Sequence, residues 1–134
     1  MKTFRILVLE DDLGALSVIM NRLFRIEQAM QVNNTGDIAV TVLSEYTQVE
    51  EYANNTEQEF DLVLLDRDCR ACGSFHILDL KKFNPYKVIA ISTYPEYNDA
   101  AKDLGVEVSL RKDYEKIEKW GDELRILIKS KLNI

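Results

Sequence analysis

Five short apolar runs punctuate the chain, and four of them stop at or just before a polar side chain: FRILVL (4–9) at Glu10, DLVLL (61–65) at Asp66, VIAI (88–91) at Ser92 and VEVSL (106–110) shortly before Lys112; the fifth is IAVTVL (38–43). Runs of this length suit strands, and near-continuous apolarity, rather than strict alternation, marks strands covered on both faces. A chain built on such strands must supply two covering layers.

The segments between the runs carry helical spacing. Leu13, Leu16, Ile19 or Met20, Leu23 and Phe24 recur on one face, with Asp12 placed to cap the first turn. Asn33-Asn34-Thr35-Gly36 is turn chemistry before the second run. Residues 47–53 read as a short second helix. Phe75, Leu78 and Phe83 outline a third, capped by Ser74 and stopped at Asn84-Pro85. A fourth spans 95–104, opened by Pro95 and closed by Gly105, the usual asymmetry of helix ends. Trp120, Leu124, Leu127 and Ile128 mark the last, with Gly121-Asp122 as a break or a cap near its start.

Strands alternating with helices imply right-handed crossovers, hence an α/β architecture with a doubly wound parallel sheet and helices on both faces. Ligands of such sheets bind at the carboxyl ends of the strands, where the strand order reverses. That rule brings Glu10, Asp11, Asp66, Ser92 and Lys112, far apart in sequence, to one edge. Clustered carboxylates repel, and a divalent cation relieves them. Hard oxygen ligands favour magnesium, with manganese able to replace it, and magnesium commonly shares its shell with a phosphate. The sequence has no G-x-x-x-x-G-K-[ST] loop to hold a nucleotide, so a phosphoryl group must arrive on another carrier. A carboxylate can be the nucleophile, and Asp66, on the central strand of the proposed site, is the natural acceptor, with Lys112 and a hydroxyl balancing charge on the phosphoryl oxygens.

A length of 134 residues, 46% of them hydrophobic, fits one domain over 1–134 with no output module in it. No window of about 18 apolar residues occurs, and Met1-Lys2-Thr3-Phe4 runs into a strand without a signal-peptide cleavage pattern, so a cytoplasmic protein without membrane contact is expected. A net charge of -6 argues against direct nucleic-acid binding through a broad basic face. The two Asn-x-Thr triplets, at Asn33 and Asn54, matter only in a secreted chain and are set aside.

Two thiols, Cys69 and Cys72, follow the third run. In a reducing compartment a structural disulfide is not expected, which leaves three roles: incidental, redox-sensing near a helix start, or metal-binding together with His76, a set short of a fourth ligand. The Trp-Cys-Gly-Pro-Cys surroundings of thioredoxins are missing.

Taken together, ILVLEDD (6–12), DLVLLD (61–66), VIAIST (88–93) and GVEVSLRKDY (105–114) resemble a response regulator receiver domain over essentially the whole chain. The resemblance implies a flavodoxin-like (βα)5 fold with strand order 2-1-3-4-5. It also implies a phosphorylation-dependent switch of a two-component or phosphorelay system, served by a histidine kinase or a phosphotransfer protein. Such a domain is not an enzyme in the usual sense; at most it catalyses its own aspartyl phosphorylation and dephosphorylation. By position, Glu10 and Asp11 are similar to the acidic metal-binding pair, Asp66 to the phosphoacceptor and metal ligand, and Asp68 to the residue whose backbone carbonyl reaches the metal. Ser92 matches the hydroxyl that contacts the phosphoryl group and Lys112 its basic partner, while Asp12 is an extra acidic neighbour. A downstream protein would meet the face around Tyr94, Tyr97, Ser109 and Tyr114, with part of the Trp120 helix.

The departures from the pattern lie around the site. Arg70 stands where the family usually has proline, Ser74 where it has glycine, Ser109 at the position of the rotating aromatic, and Asp113 where proline is common after the lysine. Two rival readings follow: an unphosphorylated interaction module of the same fold, and a thiol redox sensor built on Cys69 and Cys72.

Overall fold

The first apolar run, Lys2–Leu9 (β1), pairs in parallel with Gly36–Leu43 (β2) on one side and with Leu62–Leu65 (β3) on the other. Val88–Ala90 (β4) joins β3, and Val108–Ser109 (β5) joins β4, giving a five-stranded parallel sheet in the order β2-β1-β3-β4-β5. The computed structural model describes residues 1–67 and 75–134, with His76 by its backbone alone.

Alternate strand residues enter opposite cores, which is why the runs are apolar throughout. Ile6, Val8, Leu62, Leu64, Ile89 and Ile91 face the helices Leu13–Val32 (α1) and Ile117–Leu132 (α4). Leu7, Leu9, Val63, Leu65, Val88 and Ala90 face the other layer, made with Val49, Ala53, Phe75, Leu78, Phe83, Ala101 and Val106. That second layer includes the helical turn Tyr46–Gln48 (α2), which continues as a π turn over Val49–Ala53, and the helix Pro95–Asp103 (α3). Helices therefore lie on both faces, as the strand pattern requires.

The first helix runs to Val32, well past Phe24, because Ile26 and Met30 continue its buried stripe. Leu13, Met20 and Phe24, expected among its apolar positions, are exposed. Gly121 falls within α4 rather than breaking it. There α4 approaches α1 closely: a Cβ at Gly121 would stand 2.5 Å from Val18 Cγ1. Beside it the buried Arg22 donates to Glu118 Oε2 at 2.6 Å and to Asp122 Oδ1 at 3.0 Å, so its charge is paired where α1 meets α4. Gly105 sits at φ +99°, the left-handed conformation that ends α3 cheaply only for glycine.

The expected third helix is corrected by the structure. Its described part holds one 3-10 turn, Phe75–Ile77, followed by hydrogen-bonded turns, and a further 3-10 turn, Pro85–Lys87, lies beyond it and leads into β4. Asn54 accounts for much of this: its Nδ2 donates to the Ile77 carbonyl at 2.9 Å and its Oδ1 accepts from Asp79 N–H at 2.9 Å. Asp79 Oδ1 in turn accepts from Lys81 N–H, a local bond that competes with a helix ladder. The apolar side chains still reach the core, since Phe75, Leu78 and Phe83 are buried. Among the described residues no helix is long and apolar enough to cross a membrane.

Candidate functional site

The parallel ladder carries on past the strand ends and sets the polar residues side by side. Glu10 N–H donates to Leu43 O at 3.3 Å, Asp66 N–H to Leu9 O at 3.0 Å, and Lys112 N–H to Ser92 O at 3.4 Å. Glu10, Asp66, Ser92 and Lys112 are all buried, with Asp11 half-buried beside them. Burying this many polar groups at the end of a sheet is costly unless they satisfy one another.

They do. Lys112 Nζ donates to Glu10 Oε1 at 2.6 Å and to Asp66 Oδ2 at 3.0 Å. Glu10 Oε2 accepts from the N–H groups of Asp11 at 3.1 Å and Asp12 at 3.3 Å. The Ser92 hydroxyl accepts from Arg67 N–H at 2.9 Å and donates to Asp66 Oδ1 at 3.3 Å. Both oxygens of Asp66 thus touch the two residues singled out beside it, Ser92 and Lys112. Ligand oxygens of Glu10, Asp11 and Asp66 lie within 4.8 Å of one another, so three hard donors converge.

The electrostatics follow from this crowding. Burial, then the adjacent Asp66 carboxylate, push the Glu10 carboxyl up to about 9, although Lys112 pulls the other way. Burial alone would discharge Lys112; the neighbouring Glu10 and Asp66 outweigh it and hold the ammonium above its usual range. The crowding thus favours the charged form of Lys112 and pushes Glu10 towards its protonated form. A carboxyl raised in this way by burial and a neighbouring carboxylate is a common feature of functional sites.

Five of the six residues singled out in the sequence meet here; Asp68 lies outside the described residues, as do Cys69, Arg70, Cys72 and Ser74 and the His76 side chain. Sequence reasoning missed Asn98, which is buried in α3 and bonds the backbone of Ser92 through Oδ1 at 3.0 Å and Nδ2 at 3.1 Å. The available signal was its spacing: Asn98 and Ala101, three residues apart, share the inward face of an otherwise polar helix. It also missed the Tyr114 hydroxyl, which donates to Asp12 Oδ2 at 3.2 Å. Tyr94 and Tyr97, expected on an outer face, are exposed and stack edge to face at 5.6 Å between centroids; Tyr114 and Ser109 are exposed as well.

No family model matches the sequence, and no curated protein does. Solved structures do match. The chain is similar to a response regulator receiver domain from Rhodospirillum rubrum, at 23% identity, with 94% of each chain covered and a TM-score of 0.63. It is also similar to the beryllofluoride-activated receiver domain of DrrB, at 19% identity, covering 99% of this chain and 100% of that one, with a TM-score of 0.65. A third likeness is to the response regulator protein TrrA from Thermotoga maritima in complex with magnesium and beryllofluoride, at 18% identity, covering 96% and 98%, with a TM-score of 0.55. At such identities what is shared is the fold, and with the strand order 2-1-3-4-5 it is conclusive on that point: this chain has the fold of a response regulator receiver domain.

Proposed function

We propose that the protein is a phosphorylation-dependent switch of a two-component or phosphorelay system, in which Asp66 accepts a phosphoryl group from a histidine kinase or a phosphotransfer protein. The observation that carries this reading is the pairing of Asp66 with both Lys112 and Ser92 inside a triad of converging carboxyl groups. An Asp66 oxygen forms the new bond to phosphorus while the bond from phosphorus to the donor nitrogen breaks, and the released imidazole takes up a proton. Lys112 supplies positive charge, and Ser92 a hydroxyl, to the phosphoryl oxygens.

The donor set fits a hard divalent cation: every converging atom is an oxygen, and their spacing lets them share one ion. Glu10, Asp11 and Asp66 would hold it, with the backbone carbonyl of Asp68 as a further ligand, and magnesium or manganese would supply the charge that lets an anionic donor approach. TrrA, of the same fold, was solved with magnesium and beryllofluoride, which supports the same chemistry here.

Output would pass to a protein partner through the face around Tyr94, Tyr97, Ser109 and Tyr114. With Ser109 at the end of β5, no ring can rotate there, and coupling runs instead through the Ser92 segment into α3. We take residues 1–134 as one cytoplasmic signalling domain that acts on no substrate but its own aspartate and does not touch nucleic acid. Mass spectrometry after incubation with acetyl phosphate tests the reading. One added phosphoryl group is expected with magnesium and none with excess chelator or in Asp66→Asn. Addition that survives either change would refute the acceptor, and no addition under any condition would favour an unphosphorylated interaction module.

A further inference from the structure

The first turn of α1 is capped by Asp12, whose Oδ2 accepts from Ala15 N–H at 2.8 Å. The same oxygen accepts the Tyr114 hydroxyl at 3.2 Å, across 102 residues of sequence. Tyr114 opens the 3-10 turn Tyr114–Lys116, which Asp113 fixes by accepting from the N–H groups of Glu115 at 3.1 Å and Lys116 at 3.3 Å. Its ring lies 5.8 Å from the Lys112 ammonium, so one side chain spans from the lysine to the loop after β1. That loop is where the N–H groups of Asp11 and Asp12 hold the Glu10 carboxyl. Burial raises the Tyr114 phenol above its usual range, which keeps it a neutral donor.

We infer that Tyr114 is a positioning residue for the divalent cation: its hydroxyl pins Asp12, and so holds the 10–12 loop where Glu10 and Asp11 can share an ion with Asp66. The inference rests on the phosphoacceptor reading above. The physical reason is preorganisation. Three carboxyl groups this close repel, and a loop already held in place pays less ordering cost when the ion binds. In Tyr114→Phe the ring still covers Lys112 while the bond to Asp12 is gone.

The test is direct cation binding, by Mn2+ electron paramagnetic resonance and by calorimetry with Mg2+, on the whole chain. From the ordinary net worth of one hydrogen bond, Tyr114→Phe should raise the dissociation constant roughly three- to ten-fold. Phosphorylation by acetyl phosphate should show the same rise in half-saturating magnesium with its saturated rate retained. Asp12→Gly, which removes the acceptor at small cost to the cap, should weaken binding too, and Tyr114→Phe added to it should weaken it no further. Wild-type affinity in Tyr114→Phe overturns the inference, as does an undiminished effect in the Asp12→Gly background. A wild-type protein that binds neither ion sinks the phosphoacceptor reading and this inference together; one that binds them without being phosphorylated sinks the former alone.

Discussion

The carboxamide of Asn98 holds both backbone polar groups of Ser92, accepting from its N–H at 3.0 Å and donating to its carbonyl at 3.1 Å, with both residues buried. Ser92 is in turn bonded to Asp66, so α3 is tied to the proposed acceptor through two hydrogen-bonded residues. Any displacement of Ser92 towards a phosphoryl group must carry Asn98 with it. Asn98→Ala should therefore cost roughly 1–3 kcal/mol, because two buried backbone groups lose their partner. Beyond that cost, it should blunt the change in hydrogen exchange across residues 95–103 when beryllofluoride and magnesium bind. An Asn98→Ala protein with the full wild-type response in α3 would show that the coupling runs elsewhere.

The Glu10 carboxyl gives a pH dependence with a definite sign. Its value in the folded protein, about 9, lies above the ordinary 4.5, so the stabilisation it brings is complete below pH 4.5 and fades as the pH rises towards 9. Without a divalent cation the melting temperature should fall across that window. Glu10→Gln, which cannot ionise, should flatten the fall. Because a bound cation requires the carboxylate, wild-type affinity for magnesium should rise over the same range and binding should release a proton. Parallel melting curves of wild type and Glu10→Gln between pH 5 and pH 9 check this; equal slopes would remove Glu10 as the cause.

Much of the fold could be read from the runs themselves, since FRILVL, DLVLL and VIAI leave no polar face and so demand two covering layers. The convergence of Glu10, Asp66, Ser92 and Lys112 was legible for the same reason: a parallel sheet ends all its strands at one edge. What could not be read depends on contacts distant in sequence. Helical spacing at Phe75, Leu78 and Phe83 is real, but Asn54 takes the carbonyl and N–H groups that a helix would have used. The extension of α1 to Val32 could have been found, because Ile26 and Met30 continue the stripe. The inward placement of Asn98 could also have been found from its spacing to Ala101, but what it grips, and the burial of Lys112, could not, since a lone Asn or Lys in sequence does not reveal what closes over it.

That burial changes what removing the lysine should do. Lys112 is 3% exposed and bonded to two acidic side chains, so Lys112→Met leaves Glu10 and Asp66 facing one another without a cation. The loss of one partner from a buried ionic group should cost roughly 3–5 kcal/mol. Urea denaturation near neutral pH measures it; a cost within about 0.5 kcal/mol of zero, as at an ordinary surface site, would mean that the pairing of Lys112 with Glu10 and Asp66 does not support the fold.

Gly121 provides a prediction independent of any function. The sequence allowed it to be a helix break, yet it lies inside α4, where its missing side chain admits Val18 and Arg22 of α1. A Cβ there would meet Val18 Cγ1 at 2.5 Å and the Arg22 Cζ and Nε at 3.1 Å. Both neighbours are buried and held, Arg22 by Glu118 and Asp122, so neither can step aside cheaply. In an exposed helix the change from Gly to Ala would stabilise by roughly 1 kcal/mol. Here overpacking should reverse the sign and leave Gly121→Ala destabilised by roughly 1–3 kcal/mol. Glu123→Ala, at an exposed site of the same helix, is the control and should stay within about 0.5 kcal/mol of wild type. Trp120, the sole tryptophan and buried next to Gly121, reports the urea midpoint by its fluorescence. A midpoint for Gly121→Ala equal to or above that of wild type would mean that α1 and α4 do not approach as closely as Val18 and Gly121 require.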